Sequence, residues 1–136
     1  YRLNWKHYFV DYNYIKTFGL EIAEGRDFSQ EISSDKDAYV INEAAVRKIG
    51  WEEPVGKKIT AFWEDGERPP VIGVVKDFNF RSLHYKIEPS VFHLNVGGNP
   101  YLSIKVNSNP SSIAILSKVF ISTYNQLNQL PPTSSY

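Results

Sequence analysis

Lys76 and Asp77 come nearest to a catalytic arrangement in this sequence. They directly follow the apolar segment VIGVV at residues 71–75, and charged residues at strand ends often belong to active sites. The sequence supplies no evident catalytic partner, however, and an aspartate in this position commonly accepts backbone N–H groups. The pattern therefore favours a structural role for Asp77, with its carboxylate bonded to backbone N–H groups, and we predict no catalytic residue.

A glycine–lysine pair, Gly56-Lys57, raises the question of phosphate binding. A phosphate loop requires two spaced glycines, a lysine followed by Ser or Thr, and a helix that begins at the phosphates. Here Lys58 and Ile59 follow, and the pattern after the turn is that of a strand. The segment therefore predicts a tight turn, and we expect neither ATP binding nor another cofactor.

Candidate metal ligands are scattered along the chain. His7, His84 and His93 lie on different predicted elements, and none of them has the short spacing of a metal-binding motif. Asp35 and Asp37 fall in a polar loop, where solvated carboxylates are expected. The sequence thus predicts no metal site.

The elements that must position these residues alternate between strand and helix patterns. Strands are predicted at 4–10, within LEIAEGRDF after Gly19, and at 38–41, 57–63, 70–76, 90–96 and 101–106, and helices after Asp11, over 43–50 and from Pro110 to about 127. Asn42 is suited to cap the second helix, and Gly50 to end it. Gly73 permits close approach of a neighbouring element to its strand. These patterns predict an α+β fold.

Aromatic residues cluster near the start of the chain. Tyr8, Phe9, Tyr12 and Tyr14 either form a surface that binds sugars or peptides, or belong to the core. Their alternation along a strand, followed by helical spacing, favours core packing.

The C-terminal segment has a different character. Residues 90–136 contain two lysines and no acidic residue. The loop GGNP at 97–100 predicts a β-hairpin, and Ile113, Leu116, Phe120, Tyr124 and Leu127 mark an apolar helix face that needs burial. We expect self-association through this face or through an exposed sheet edge.

Composition sets broader limits. The 136 residues carry a formal net charge of zero and no cysteine, which argues against nucleic acid as a partner and excludes disulfides and thiolate metal sites. Hydrophobic residues make up 42% of the chain, enough for a folded core. Because the chain starts at Tyr1 and lacks methionine, we expect an excised or mature part of a longer protein.

Four segments carry a family resemblance through their order and spacing. They are VDYNYIKTFGLEIAEGRDFS (10–29), AYVINEAAVRKIG (38–50), PVGKKI (54–59) and VIGVVKDFNFRSLHYKIEPSVF (71–92). Together they resemble the extracytoplasmic core domain of MacB/FtsX-like ABC transporter permeases, in the version found in Bacteroidetes-type bacteria, over about residues 8–130. The structural-motif residues that we single out are Gly25, Arg26, Asn42, Glu43, Gly56, Gly73, Asp77 and Pro89.

The resemblance implies an architecture and a cellular setting. In MacB-like permeases a mixed α/β lobe is inserted into a porter-like lobe of βαβ units. Residues 1–88 resemble the inserted lobe, and residues 89–136, with a β-hairpin and long helix, resemble the second half of the porter-like lobe. The implied domain is periplasmic, lies in a protein of the inner membrane and has no catalytic residues. Its implied partners are the rest of the permease, an ATP-binding subunit, and a periplasmic adaptor or exported substrate.

Two functions follow as hypotheses. The first is a non-catalytic domain that couples ATP-driven motion of membrane helices to a periplasmic partner or exported substrate, a mechanism called mechanotransmission. The second is a free-standing ligand-binding or sensor module that uses the aromatic surface. Membrane-spanning segments on both sides of the domain in the parent gene would favour the first.

Overall fold

A mixed β-sheet organises most of the described chain. In the computed structural model, the residues that the structure describes are 5–59, 69–79, 86–97, 103–106 and 109–127. Their elements are β1 (Lys6–Val10), α1 (Tyr14–Phe18), β2 (Ile22–Gly25), a 3₁₀ helix (Ser33–Asp37), β3 (Tyr39–Asn42), α2 (Glu43–Ile49), β4 (Val71–Val75), β5 (Ser90–Leu94) and α3 (Pro110–Leu127). This mixture confirms the α+β class predicted from the sequence.

The sheet has the strand order β1-β5-β3-β4-β2. β1 runs parallel to β5, and β3 runs parallel to β4, whereas the β3–β5 and β2–β4 pairs are antiparallel. β5 therefore lies between β1 and β3, although it comes last of the five strands in the chain. Residues 90–94 thus share one sheet with strands from the first half of the chain.

Both faces of this sheet are covered. Alternation along the central strands sends Ile41 and Val91 to one face, where Ala45 of α2 packs, and Val40 and Phe92 to the other. The second face also receives side chains from α1 and from the loop after β2. The result is a helix–sheet–helix arrangement in which the central strands are buried on both sides.

The chain divides into two compact units, Tyr1–Ser103 and Ile104–Tyr136. The second contains α3, which begins after Asn109; the side-chain Oδ1 of Asn109 accepts the N–H of Ser111 at 3.0 Å. Ile113 and Phe120 on this helix are each 52% exposed, so the burial expected for these two side chains is not found. The assignment of 1–88 and 89–136 to two family lobes stays a prediction.

Several predicted boundaries need correction. β5 ends at Leu94 rather than at 96, and residues 103–106 form no strand, so the described part of the predicted hairpin lacks its second strand. In the predicted strand at 57–63, Lys58 forms only an isolated antiparallel bridge with Pro70. Residues 60–63 and 101–102 lie outside the described residues, as does the turn predicted at 64–66.

Candidate functional site

Asp77, the leading candidate from the sequence, lies at the start of α2. Its Oδ1 accepts the backbone N–H of Ala44 at 2.8 Å, and its Oδ2 pairs with the guanidinium of Arg47. Its own N–H donates to the Glu43 carboxylate at 3.0 Å. The carboxylate thus accepts a backbone N–H, as the sequence suggested, but the donor belongs to α2 rather than to a local turn. A carboxylate here satisfies an otherwise unpaired helix N–H and favours the helix dipole.

Lys76 points to a different partner. Its Nζ pairs with the Glu21 carboxylate, and its backbone N–H donates to the Glu21 carbonyl oxygen at 2.8 Å. The pairing lowers the pKa of Glu21 and raises the pKa of Lys76, chiefly through the side-chain hydrogen bond. Lys76 is therefore a protonated surface lysine at neutral pH and not a general base.

Arg26 and Asp35 form a bidentate ion pair that the sequence did not reveal. The two guanidinium–carboxylate distances are 2.6 and 2.7 Å, and Asp35 is 0% exposed. The Asp35 carboxylate also accepts the N–H of Ser29 at 2.8 Å. The hydrogen bond from Arg26 is the main cause that lowers the pKa of Asp35. The prediction that Asp35 is a solvated loop carboxylate was wrong; it anchors the loop after β2.

Two glycines let this loop lie against the sheet. A Cβ placed at Gly73 would lie 2.1 Å from the carbonyl oxygen of Arg26, and one at Gly25 would lie 2.3 Å from that of Ile72. The backbones of β2 and β4 therefore approach too closely here for any side chain. This is the close approach that a glycine inside the β4 sequence predicted.

Asn42 caps α2 and does more. Its Oδ1 accepts the N–H of Ala45 at 3.0 Å and that of Ser90 at 2.8 Å, while its Nδ2 donates to the Glu88 carbonyl oxygen at 3.0 Å. Next to this contact, the Pro89 carbonyl oxygen accepts the N–H of Lys6 at 2.9 Å. The predicted cap is confirmed, and the same side chain joins β3, α2 and the start of β5.

Gly56 lies in a turn, with a φ of 84°. Its N–H donates to the Val71 carbonyl oxygen at 2.7 Å, and the next N–H, of Lys57, donates to the Pro54 carbonyl oxygen at 3.2 Å. Both backbone N–H groups are therefore engaged within the fold, in keeping with the predicted turn.

Two of the three histidines meet on the sheet. The Nδ1 of His7 lies 2.9 Å from the Nε2 of His93. Phe9 stacks on the His93 ring at a centroid distance of 5.1 Å, and Tyr39 meets it edge-on at 4.6 Å. Burial lowers the pKa of His7, and burial with the charge of His7 lowers the pKa of His93 to about 4. Both rings are therefore neutral near pH 7.

A cavity of about 590 Å³ lies beside this pair. Its wall includes Phe9, Tyr39, Lys58, Pro70 and His93. Of the aromatic residues proposed as a binding surface, Tyr8, Tyr12 and Tyr14 pack against a core cluster, whereas Phe9 is 52% exposed. Core packing therefore accounts for three of the four, and Phe9 alone is well exposed beside a concave surface.

Some kinds of site are not found in the part of the chain that the structure describes. There, no three His, Cys, Asp or Glu side chains come together as metal ligands. No helix among the same residues has the length and apolar character needed to cross a lipid bilayer. His84 lies outside the described residues.

The fold and its contacts define a small α+β module whose buried polar groups mainly hold its own elements together. A comparison with protein families matches residues 3–111 to the MacB-like periplasmic core domain. The chain belongs to this family of periplasmic domains of ABC transporter-type permeases, and the family implies an extracytoplasmic location.

A solved structure has a similar fold. The crystal structure of the periplasmic region of MacB from Actinobacillus actinomycetemcomitans aligns with a TM-score of 0.57 and 21% sequence identity. The alignment covers 89% of this chain and 56% of that one. The chain thus spans little more than half of the structure that it matches. Comparison with curated proteins gives no match.

Sequence reasoning missed two groupings in this region. The Arg26–Asp35 pair joins residues 9 apart through a loop of no recognisable motif, and the histidine pair joins residues 86 apart. The alternation of His7 in the strand pattern at 4–10 and of His93 in the strand pattern at 90–96 was a usable signal. The sequence pattern did not show, however, that these two strands are neighbours in the sheet.

Proposed function

We propose that this chain is a non-catalytic extracytoplasmic domain of an ABC transporter permease. In this role it couples ATP-driven motion of the membrane helices to a periplasmic partner or to the exported substrate. The rest of the permease and an ATP-binding subunit are its partners, and the parent protein lies in the inner membrane. The observation that carries the proposal is the family match over residues 3–111.

The contacts within the unit Tyr1–Ser103, which we call the sheet unit, support a transmitting role. A domain that passes on a movement must shift as one body, so its loops and helices must be fixed to its sheet. Asn42 fixes α2 to β5, Asp77 fixes the end of β4 to α2, and Arg26 with Asp35 fixes the loop after β2. The Asp77 and Asn42 contacts join residues 33 and 48 apart, and the Arg26–Asp35 pair closes a loop between residues 9 apart. All three use buried or half-buried polar groups.

Spin labels on the full-length permease, assembled with its ATP-binding subunit, test the proposal. This chain has no cysteine, so Lys48→Cys, on an exposed position of α2, introduces a single labelling site here once cysteines elsewhere have been replaced. We expect the distance between labels on two permease copies to change between the ATP-bound and nucleotide-free states. An unchanged distance distribution would contradict coupling.

A matched control separates domain motion from internal rearrangement. Lys16→Cys combined with Lys48→Cys places labels on α1 and α2, both exposed positions of the same unit. The distance between these two labels is expected to stay constant in both nucleotide states. A change there would mean that the unit deforms instead of moving as one body.

A ligand-binding or sensor module is the second candidate. The exposed ring of Phe9 beside the cavity of about 590 Å³ favours it. If this candidate is correct, the distance between labels on two copies should be the same in the ATP-bound and nucleotide-free states. The parent gene should also encode no membrane-spanning segment on either side of the domain.

A further inference from the structure

The cavity of about 590 Å³ beside Phe9 has the size of a site for a small organic molecule. It lies at one end of the sheet, where β1 and β5 end and β3 and β4 begin, so four strands contribute to its wall. Cavities of about 300–1,000 Å³ that combine apolar surface with a few polar groups commonly bind such molecules.

Part of the wall is aromatic. Phe9 stacks on the His93 ring at a centroid distance of 5.1 Å, and Tyr39 meets the same ring edge-on at 4.6 Å. Phe9 is nevertheless 52% exposed. An exposed aromatic ring in a concave wall becomes more buried when a flat apolar group stacks beside it. This part of the wall therefore favours a ligand with a flat apolar body.

The hydroxyl group of Tyr39 has no partner in the described part of the chain. The residue is only 5% exposed, and its hydroxyl makes no hydrogen bond with the residues that the structure describes. No buried polar side-chain atom of these residues lacks a partner, so this hydroxyl is in contact with solvent, and Tyr39 lines the cavity. Burial raises the pKa of Tyr39. The hydroxyl is therefore protonated near pH 7 and can donate a hydrogen bond to a bound molecule.

The charged groups of the wall leave an excess of positive charge. The charge of Asp35 is compensated by Arg26. Lys36 and Lys58 also line the cavity, and neither forms an ion pair with a residue of the described segments. The carboxylate of Asp37 is the one wall group of opposite sign that remains. Two ammonium groups against one carboxylate favour an anion.

We propose that this cavity binds a small organic anion with a flat apolar body and one carboxylate. The apolar body stacks on Phe9, and the carboxylate accepts hydrogen bonds from the Tyr39 hydroxyl and from Lys36 or Lys58. Hydrogen bonds to a charged group are the stronger kind, which suits a donor that is otherwise unpaired. The site goes beyond the transmitting role and does not depend on it.

Contacts within the sheet unit hold this wall in place before a ligand binds. The Tyr39 N–H donates to the Pro70 carbonyl oxygen at 2.9 Å, and the Ala38 N–H donates to the Asp35 carbonyl oxygen at 3.2 Å. The Asp35 side chain is itself fixed by Arg26. A wall that is already ordered lowers the entropic cost of binding.

Titration of the ¹⁵N-labelled chain with 2-naphthoate, followed by NMR, tests the site. This probe has a flat apolar body and one carboxylate, and 2-naphthamide has nearly the same shape without the charge. We expect one molecule of 2-naphthoate per chain with a Kd of about 0.1–1 mM, the range for a ligand of this size. The amide shifts should change mainly at the wall residues, and 2-naphthamide should bind about tenfold more weakly.

Two single variants test the named contacts. Tyr39→Phe removes only the hydroxyl group and should weaken 2-naphthoate binding about tenfold, because a hydrogen bond to a charged group is lost. Phe9→Ala removes the stacking surface and should weaken binding to a similar extent. The NMR spectrum of each variant also shows that it is folded. An unchanged Kd in Tyr39→Phe would overturn the proposal.

Two double variants with equal loss of charge provide the matched control. Lys36→Gln/Lys58→Gln removes both lysines of the wall and should weaken 2-naphthoate binding about tenfold or more. Lys48→Gln/Lys57→Gln removes the same charge from α2 and from the lysine over the Trp51 ring, and should leave the Kd nearly unchanged. Equal losses in the two double variants would overturn the proposal. So would equal binding of 2-naphthamide, or unchanged shifts of the wall amides at millimolar 2-naphthoate.

Discussion

Glu43 and Asp77 exchange hydrogen bonds across the junction between β4 and α2. The Asp77 N–H donates to the Glu43 carboxylate at 3.0 Å, and the Asp77 carboxylate accepts the N–H of Ala44, the residue after Glu43, at 2.8 Å. The arrangement resembles a capping box, except that its two halves come from segments 34 residues apart. It fixes the end of a central strand to the start of a helix.

Replacing Asp77 tests this junction. Asp77→Ala removes the acceptor for Ala44 and the partner of Arg47, and we expect a loss of about 0.5–2 kcal/mol in the free energy of unfolding, the range for a lost helix cap. Asp77→Asn keeps an acceptor oxygen and should lose less. Urea unfolding measures both. Unchanged stability together with abolished transport in the full-length permease would show that the role of Asp77 is functional instead.

The Arg26–Asp35 pair is expected to contribute more to the free energy of unfolding than Asp77 does. Arg26→Met leaves the Asp35 carboxylate buried without its counter-ion, and we expect a loss of about 2–4 kcal/mol at pH 7, below the range for a fully buried pair because the Arg26 side chain is 41% exposed. Lys76→Met breaks the exposed pair with Glu21 and serves as the control, with little measurable effect. Equal losses in both variants would contradict the argument.

The same pair gives a pH dependence with a definite sign. Arg26 lowers the pKa of Asp35 below its ordinary value of 3.8. The ionised form therefore stabilises the native state above pH 4, and this contribution is lost as the pH falls through the lowered pKa. The stability difference between the unmodified chain and Arg26→Met should be largest near neutral pH and shrink as the pH drops below 4. Urea unfolding at pH 7 and pH 3 measures it, and a difference that grows in acid would contradict it.

Local chemistry explains why much of the fold was predictable. Asn42 and Gly50 delimit α2 at the positions that their conformational preferences indicate, and β3 and β4 follow from short apolar runs. These features depend on residues within one turn or strand of each other. A sequence pattern records such neighbours directly.

The rest depended on strand order. The residues of segment 90–94 do not predict that it pairs with β1 on one side and with β3 on the other. The contact between His7 and His93 results from its pairing with β1. The burial of Asp35 likewise depends on where the loop after β2 folds back. The packing of the whole core determines which strands become neighbours and where the loops fold back. A local sequence pattern therefore could not predict these positions.

Alanine substitutions at Gly73 and Gly50 distinguish the cost of a steric clash from the cost of backbone strain. A Cβ at Gly73 would lie 2.1 Å from a backbone oxygen, whereas Gly50 has a φ of 81° with nothing within 4 Å. Gly73→Ala should cost about 3 kcal/mol or more because strands must separate. Gly50→Ala should cost only the left-handed strain of about 1–2 kcal/mol. Thermal unfolding measures the stability of both variants. A Gly73→Ala variant that is no less stable than Gly50→Ala would contradict the close approach of the Arg26 backbone to Gly73.

Self-association remains a prediction for the isolated chain. Residues 90–136 hold two lysines and no acidic residue, and Ile113, Ile115 and Phe120 of α3 are each more than half exposed. Few charges oppose contact between such apolar surfaces. Sedimentation at several concentrations should show an average mass that rises with concentration, and Ile115→Lys should suppress the rise. A strictly monomeric chain at high micromolar concentration would contradict this expectation.

Among the polar residues of the sheet unit, Asn42 is the one whose replacement is expected to lower the free energy of unfolding most. It is 0% exposed, and Asn42→Ala would leave the N–H groups of Ala45 and Ser90 without their acceptor. The Glu88 carbonyl oxygen would lose one of its two donors and keep the Ser90 hydroxyl at 3.0 Å. Each buried polar group left unpaired costs about 1–3 kcal/mol, so we expect a loss of about 3–4 kcal/mol after partial relaxation.

Asn42→Asp separates the acceptor from the donor of this side chain. The aspartate keeps an acceptor for both N–H groups, and its charge is favourable at the start of α2, but it cannot donate to Glu88. Its loss of stability should therefore be smaller than that of Asn42→Ala. Hydrogen exchange should find the amides of Ala45 and Ser90 still protected in Asn42→Asp and exposed to exchange in Asn42→Ala. Equal exchange in both variants would mean that the acceptor oxygen is not what joins β3, α2 and β5.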